Sequence, residues 1–285
     1  MKNHYIIYTH NREQILQKCF KTLFDNNKTI PDRTIIIDDA SKIELKAKLF
    51  NFGAQYNHLS VDLIFLNKNV GYGKAAEIGF ALAEIHNPDT VSFIESDYIF
   101  SKNGIDTVFD IFENNEYGQV AAGFSGYDNP DFYKPEKINI DFKNIMISDY
   151  GYDNLNREIL YKPFQVQTLY GEKTLELVSN SCGTMYLNWK IVNKIKQTFP
   201  NDYIDWVNRV TSRDSNIKNL YDGIMSHGLS RLWMEWAEFE GIDTNKYAAL
   251  LNLKPSVADH INGGGINSSN VQEGDTVAHS PTFQI

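Results

Sequence analysis

Glu95 and Asp97 close an apolar run, Thr-Val-Ser-Phe-Ile-Glu-Ser-Asp, at residues 90–97. Alternate residues of an extended chain point to the same side, so the two carboxylates face one way. Such a pair suits a hard divalent cation, which takes oxygen ligands and bridges to phosphates. The competing plain reading is two solvated loop acids. The apolar run ahead of them reads as a buried strand between polar boundaries. The pair therefore stands at the carboxyl end of a strand, where open α/β sheets bind ligands.

Three further groups follow apolar runs in the same manner. Thr9, His10, Asn11 and Arg12 come after His-Tyr-Ile-Ile-Tyr-Thr at 4–9. The helical pattern behind them carries Ile15, Leu16, Cys19, Phe20, Leu23 and Phe24 on one side. Asn11 or Thr9 can cap that helix, and a helix N-terminus offers free N–H groups to an anion. Asp38 and Asp39 end the run at 34–37. Asp39 can accept from a base N–H or a ribose hydroxyl. Ser41 and Glu44 have the spacing of a capping box for the next helix. After a third run at 61–66, Gly71 and Gly73 permit close backbone approach and Lys74 adds a positive charge. Each group also has a bland reading as turn, cap or solvated charge. In a parallel sheet, however, all four would share one edge.

The elements that would position them alternate strand and helix through residue 124, with a third helix whose stripe is Ala75, Ile78, Leu82 and Ile85. That alternation predicts an α/β fold with a mainly parallel sheet and helices on both faces. Further elements are a helix at 101–113 and a strand at 119–124. The stretch 125–162, rich in Tyr, Asp, Asn and Pro, reads as an excursion. A hairpin around Gly171-Glu172, a strand at 182–187 and a helix at 188–197 follow. Helical periodicity returns at 202–212 and 229–240, where Trp233 and Trp236 form a stripe. From Lys254 the chain is Gly-, Ser- and Asn-rich, with His260 ahead of Gly263, Gly264 and Gly265.

The bulk composition narrows the function class. The net charge of −9 and the lack of a long basic block disfavour a nucleic-acid partner. Two cysteines, Cys19 and Cys182, make no disulfide framework, which favours a reduced, cytoplasmic setting. The start, with charge before Tyr5, lacks the apolar core of a signal peptide, and no run is long enough to span a membrane. Two motif readings compete around Lys74. Lys68 and Ala75 stand where a P-loop needs Gly and Ser or Thr. Gly71-Tyr72-Gly73-Lys74-Ala75-Ala76 fits G-x-G-x-x-A, but after the third run rather than the first. It carries the alternative of a nicotinamide-dinucleotide oxidoreductase; a nucleotide-binding protein without catalysis is the other.

Taken together, Tyr-Thr-His-Asn-Arg, Ile-Ile-Asp-Asp-Ala-Ser, Asn-Val-Gly-Tyr-Gly-Lys-Ala-Ala-Glu-Ile-Gly and Glu-Ser-Asp resemble the GT-A glycosyltransferases, family 2 above all. The resemblance covers residues 4–124 and continues more loosely through Asn-Ser-Cys-Gly-Thr-Met at 180–185. It departs at Glu95, where the family has Asp, and at Glu77, where it often has Asn. The resemblance implies a nucleotide-sugar transferase of Rossmann-like GT-A fold. Asp39 would contact the uracil or ribose of a UDP-sugar, Thr9, Asn11 and Arg12 would line the nucleotide pocket, and Gly71 and Lys74 would approach the phosphates. Asp97 with Glu95 would bind Mn2+ or Mg2+, completed by His260, with His279 second. Asp222 or Asp205 would deprotonate the acceptor hydroxyl in an inverting transfer, with Trp206 beside Asp205 placed for a sugar ring. A saccharide is the expected acceptor. The implied layout is a catalytic domain at 1–253, with a nucleotide-sugar half at 1–124, an insertion at 125–165 and an acceptor half at 166–253. The segment 254–285 would be a tail that closes over the site.

Overall fold

The computed structural model describes residues 1–114, 117–122, 164–178, 184–198, 200, 240–241, 250–254 and 257–260. The first half alternates as its apolar periodicity requires: β1 (Asn3–Thr9), α1 (Glu13–Asp25), β2 (Arg33–Asp38), α2 (Ile43–Gln55), β3 (Val61–Phe65), α3 (Tyr72–Glu84) and β4 (Thr90–Glu95). Next come β5 (Tyr98–Phe100), α4 (Gly104–Asn114), β6 (Gln119–Ala121), the hairpin β7 (Phe164–Thr168) and β8 (Gly171–Val178), β9 (Thr184–Asn188) and α5 (Trp189–Thr198). Strands β10 (Leu250–Lys254) and β11 (Ala258–His260) complete the set.

Nine strands form one sheet in the order β3-β2-β1-β4-β9-β6-β10-β8-β7, and β5 pairs with β11 beside it. In the large sheet β8 and β9 run against the other seven strands, so the sheet is mainly parallel. Strand alternation divides the core into two layers. Tyr5, Ile7, Ile36 and Ile94 pack with α1, α2 and α4 on one face. Ile6, Ile35, Ile37, Val91 and Phe93 pack with α3 and α5 on the other. Helices thus cover both faces, as parallel strands buried on both sides require.

Several local expectations are corrected. Arg12, not Asn11 or Thr9, holds the N-cap position of α1, and no side chain caps that helix. Ser41 and Glu44 make no capping box, because α2 starts at Ile43 with Lys42 at its N-cap. Asn11 and Ser41 instead bond across the two loops. The hairpin turns at Leu169 and Tyr170, one step before Gly171. β5, β10 and β11 were not expected as strands. On α3 the sheet-facing positions are Ala75, Ala76, Gly79, Phe80 and Ala83, while Ile85 is 73% exposed. Small residues there let α3 lie close on β1 and β2.

Gly79 shows how close that packing is. A Cβ there would stand 2.4 Å from Ile6 Cγ2 and 3.1 Å from Ile37 Cδ1, both buried. Alanine at an ordinary helical position gains about 0.8–1 kcal/mol over glycine. Overpacking a filled core costs about 1–3 kcal/mol, so the clash wins. Gly79→Ala is expected to lower the melting temperature; a rise would show that α3 can shift away from β1.

Candidate active site

Strand register assembles the site. β1 pairs with β2 to bring Thr9 opposite Asp38, and with β4 to bring Tyr8 opposite Glu95. β2 pairs with β3 to bring Asp38 opposite Phe65. The ladder continues past the strand ends through Asp39 N–H to the Thr9 carbonyl at 2.9 Å, Leu66 N–H to Asp38 at 2.9 Å and Ser96 N–H to Tyr8 at 3.2 Å. Thr9 to Arg12, Asp38-Asp39, the loop leading to Gly71, and Glu95 to Asp97 therefore lie along one edge.

Asp39 is fully buried and holds that edge together. Its Oδ1 accepts the Val70 N–H at 2.6 Å and its Oδ2 the Gly71 N–H at 2.8 Å. Tyr8 donates its hydroxyl to Oδ2 at 3.2 Å. Burial, and then the Asp39 charge, push the Tyr8 hydroxyl well above its ordinary range, which keeps it a donor. Gly71 has φ 84, a conformation glycine adopts freely, and its carbonyl accepts the Ala75 N–H as α3 begins. The Asp39 carboxylate thus fixes the entry into α3.

A second network joins the β1–α1 and β2–α2 loops. Asn11, with φ 52, donates its N–H to Ser41 Oγ at 2.8 Å and accepts the Lys42 N–H at 3.0 Å. His10 Nδ1–H donates to the Asp39 carbonyl at 2.6 Å, and Nε2 accepts from the Asn11 amide at 2.9 Å. Ala40, between Asp39 and Ser41, is held at φ 58, a strained conformation for a residue with a Cβ. The sequence reading did not single out Tyr8 and Ser41 as site residues, and it placed His10 only within the group at 9–12. Their partners lie about thirty residues away along the chain, so no local pattern announces them.

Asp97 is fully buried and pairs with Arg12 Nη1 at 2.5 Å, whose side chain is 17% exposed. Glu95 is half-buried at the end of β4. The Cys19 thiol lies beneath and donates to the Glu95 carbonyl at 3.9 Å. Burial and the Asp97 charge push that thiol far up, so it stays protonated and unreactive. Lys74 is exposed and pairs with Glu77 on its own helix. Thr9 is buried. β11 runs antiparallel to β5 with the His260 backbone opposite Tyr98, so the chain passes His260 toward the Asp97 end. Asp205, Asp222, Trp206 and His279 lie outside the described residues, as do most of the insertion at 125–165 and the chain from 261 on.

Among the described residues no three His, Cys, Asp or Glu side chains gather as a self-contained metal cluster. The residue types still suit a hard cation: Glu95 and Asp97 could offer carboxylate oxygens, and one or two carboxylates suffice when substrate phosphates complete the shell.

The strand order, the helices on both faces and the acidic edge define the GT-A fold of nucleotide-diphospho-sugar transferases. Residues 5–177 match glycosyl transferase family 2, and the chain belongs to that family. This membership removes the dinucleotide reading of the Gly71–Ala76 motif. Three solved structures share the fold. A mannosyltransferase of Pyrobaculum calidifontis, in complex with GDP-Man and Mn2+, has a TM-score of 0.51 at 9% identity, covering 93% of this chain and 58% of that one. S. aureus TarS 1-349 in complex with UDP-GlcNAc has a TM-score of 0.51 at 12% identity, covering 95% and 62%. GalNAc-T7 with UDP, GalNAc and Mn2+ has a TM-score of 0.52 at 13% identity, covering 99% and 46%. The chain thus spans less than two thirds of each. No curated protein matches the sequence. No helix among the described residues is long and apolar enough to cross a membrane.

Proposed function

We propose that the protein transfers a sugar from a nucleotide-sugar, a UDP-sugar, to a saccharide hydroxyl with inversion, using Mn2+ or Mg2+ on the diphosphate. The observation that supports this is the placing of Arg12, Asp39, Glu95 and Asp97 on one strand edge in a family 2 chain. The nucleoside would lie over the Thr9–Arg12 and Asp39 loops. Asp39 is fully buried, so a base or ribose reaches it only when the 69–71 loop shifts. Gly71, Lys74 and the start of α3 would face the diphosphate. Glu95 and Asp97 would hold the cation, with His260 entering from β11. A bound cation would neutralise the charge that develops on the leaving diphosphate. Asp222 or Asp205 would take the acceptor proton, and the chain after His260 would close over the donor.

The test is a panel of UDP-, GDP- and CMP-sugars, each assayed with Mn2+ and with a chelator. UDP-sugar turnover that chelation removes is the expected result. Turnover indifferent to the chelator would refute the cation's role, and preference for GDP- or CMP-sugars would refute the base assignment.

A further inference from the structure

The Arg12–Asp97 pair bears on how cation and donor enter this site. A buried carboxylate needs a counter-charge or a set of hydrogen-bond donors, and Asp97 takes a counter-charge from Arg12 at 2.5 Å. The Arg12 backbone is anchored. It follows Asn11, which is tied to Ser41 and Lys42, and its own carbonyl accepts the Leu16 N–H at 2.8 Å in the first turn of α1. The side chain is 17% exposed. A swing of the guanidinium would free Asp97 while the loop stays in place.

A guanidinium and a divalent cation compete for the same carboxylate, because each repels the other at contact distance. A diphosphate offers the guanidinium a second anion with matching fork geometry. We infer, resting on the donor-site reading above, that Arg12 is a positioning residue coupling the two ligands. It holds Asp97 against the cation while the site is empty and moves to the diphosphate when the nucleotide arrives. Reciprocity requires the converse: bound cation frees Arg12 and strengthens nucleotide binding. The coupling selects the donor as a nucleotide–cation complex and disfavours bare metal.

The experiment is a titration of Mn2+ by electron paramagnetic resonance, with and without UDP, on wild type, Arg12→Gln and Arg12→Lys. Arg12→Gln is expected to bind Mn2+ alone at least tenfold more tightly than wild type, while UDP alone binds it more weakly. Arg12→Lys, which keeps the charge, should restore the wild-type weakness for bare Mn2+. A purely structural ion pair would not move the metal affinity upward. If Arg12→Gln binds bare Mn2+ no more tightly while wild type takes up Mn2+ with UDP, the coupling is overturned and the donor site stands. If wild type takes up no Mn2+ even with UDP, both fail. Should Arg12→Gln not fold, the Arg12 Nε–H signal of wild type decides by nuclear magnetic resonance. It is expected to shift on adding UDP without metal, and an unmoved signal would overturn the proposal.

Discussion

Asp97→Asn is expected to reduce metal-dependent turnover by roughly 10²–10³-fold, the range seen when one group that stabilises developing charge is removed. The substitution keeps the shape of the side chain and takes away its charge. Asparagine can still accept a hydrogen bond from Arg12, so the guanidinium keeps a partner, but a neutral amide holds a divalent cation poorly. Arg12 opens partly to solvent, which limits the destabilisation left by the missing charge. The effect should therefore be larger on turnover and on Mn2+ uptake than on melting temperature. Steady-state kinetics with thermal melts separate the two. Wild-type turnover in Asp97→Asn would remove this residue from the cation site.

Asp39→Asn is expected to cost stability as well as donor binding. Each carboxylate oxygen of Asp39 accepts one backbone N–H, from Val70 and from Gly71. Asparagine has one acceptor oxygen and one donor nitrogen, so one N–H would face another donor inside a buried site. Hydrogen bonds to charged groups contribute about 1.5–3 kcal/mol each. With one bond lost and one weakened, the expected loss is about 2–4 kcal/mol. Asp39→Ala should lose no less. The local consequence is release of the loop that enters α3, read as faster amide exchange at Val70 and Gly71. Wild-type exchange at both amides in Asp39→Asn would show that the loop is held by other contacts.

Much of the first half was legible because its physics is local. Parallel strands buried on both faces read as continuous apolar runs, and β1, β2 and β4 fell within a residue or two of their expected bounds. Helices covering such a sheet need one apolar face each, which gave α1 and α4. The expected stripe of α3 holds at Ala75, Ile78 and Leu82, which pack on the core, and fails at Ile85, which is exposed. The closest approach to the sheet is made by small residues, Ala75, Ala76 and Gly79. β5 has three residues, all buried, too few for any period to show. β9 inserts antiparallel between β4 and β6, and β10 and β11 return from the far end of the chain. Pairing across such separations leaves no local mark.

The chemistry of the edge divides the same way. Residue type and spacing singled out Glu95, Asp97, Asp39 and Arg12. The bonds among them did not follow from spacing. Arg12 meets Asp97 across 85 positions and Asp39 meets Gly71 across 32. Asn11 and Ser41 have the composition of helix caps, yet the structure uses them to tie two loops. Cap-forming side chains bond whichever backbone N–H is near, and only the register of β1 against β2 decides which that is.

The central claim is that a nucleotide and a cation meet at the carboxyl edge of β1, β2 and β4. Crystals grown with UDP and Mn2+ test it most directly, by the anomalous signal of manganese. The account predicts one peak in coordination contact with the Asp97 carboxylate and the diphosphate, with the uridine over the Asp39 loop. A nucleotide at that edge whose manganese peak lies away from Asp97, or a nucleotide bound elsewhere on the molecule, would contradict it.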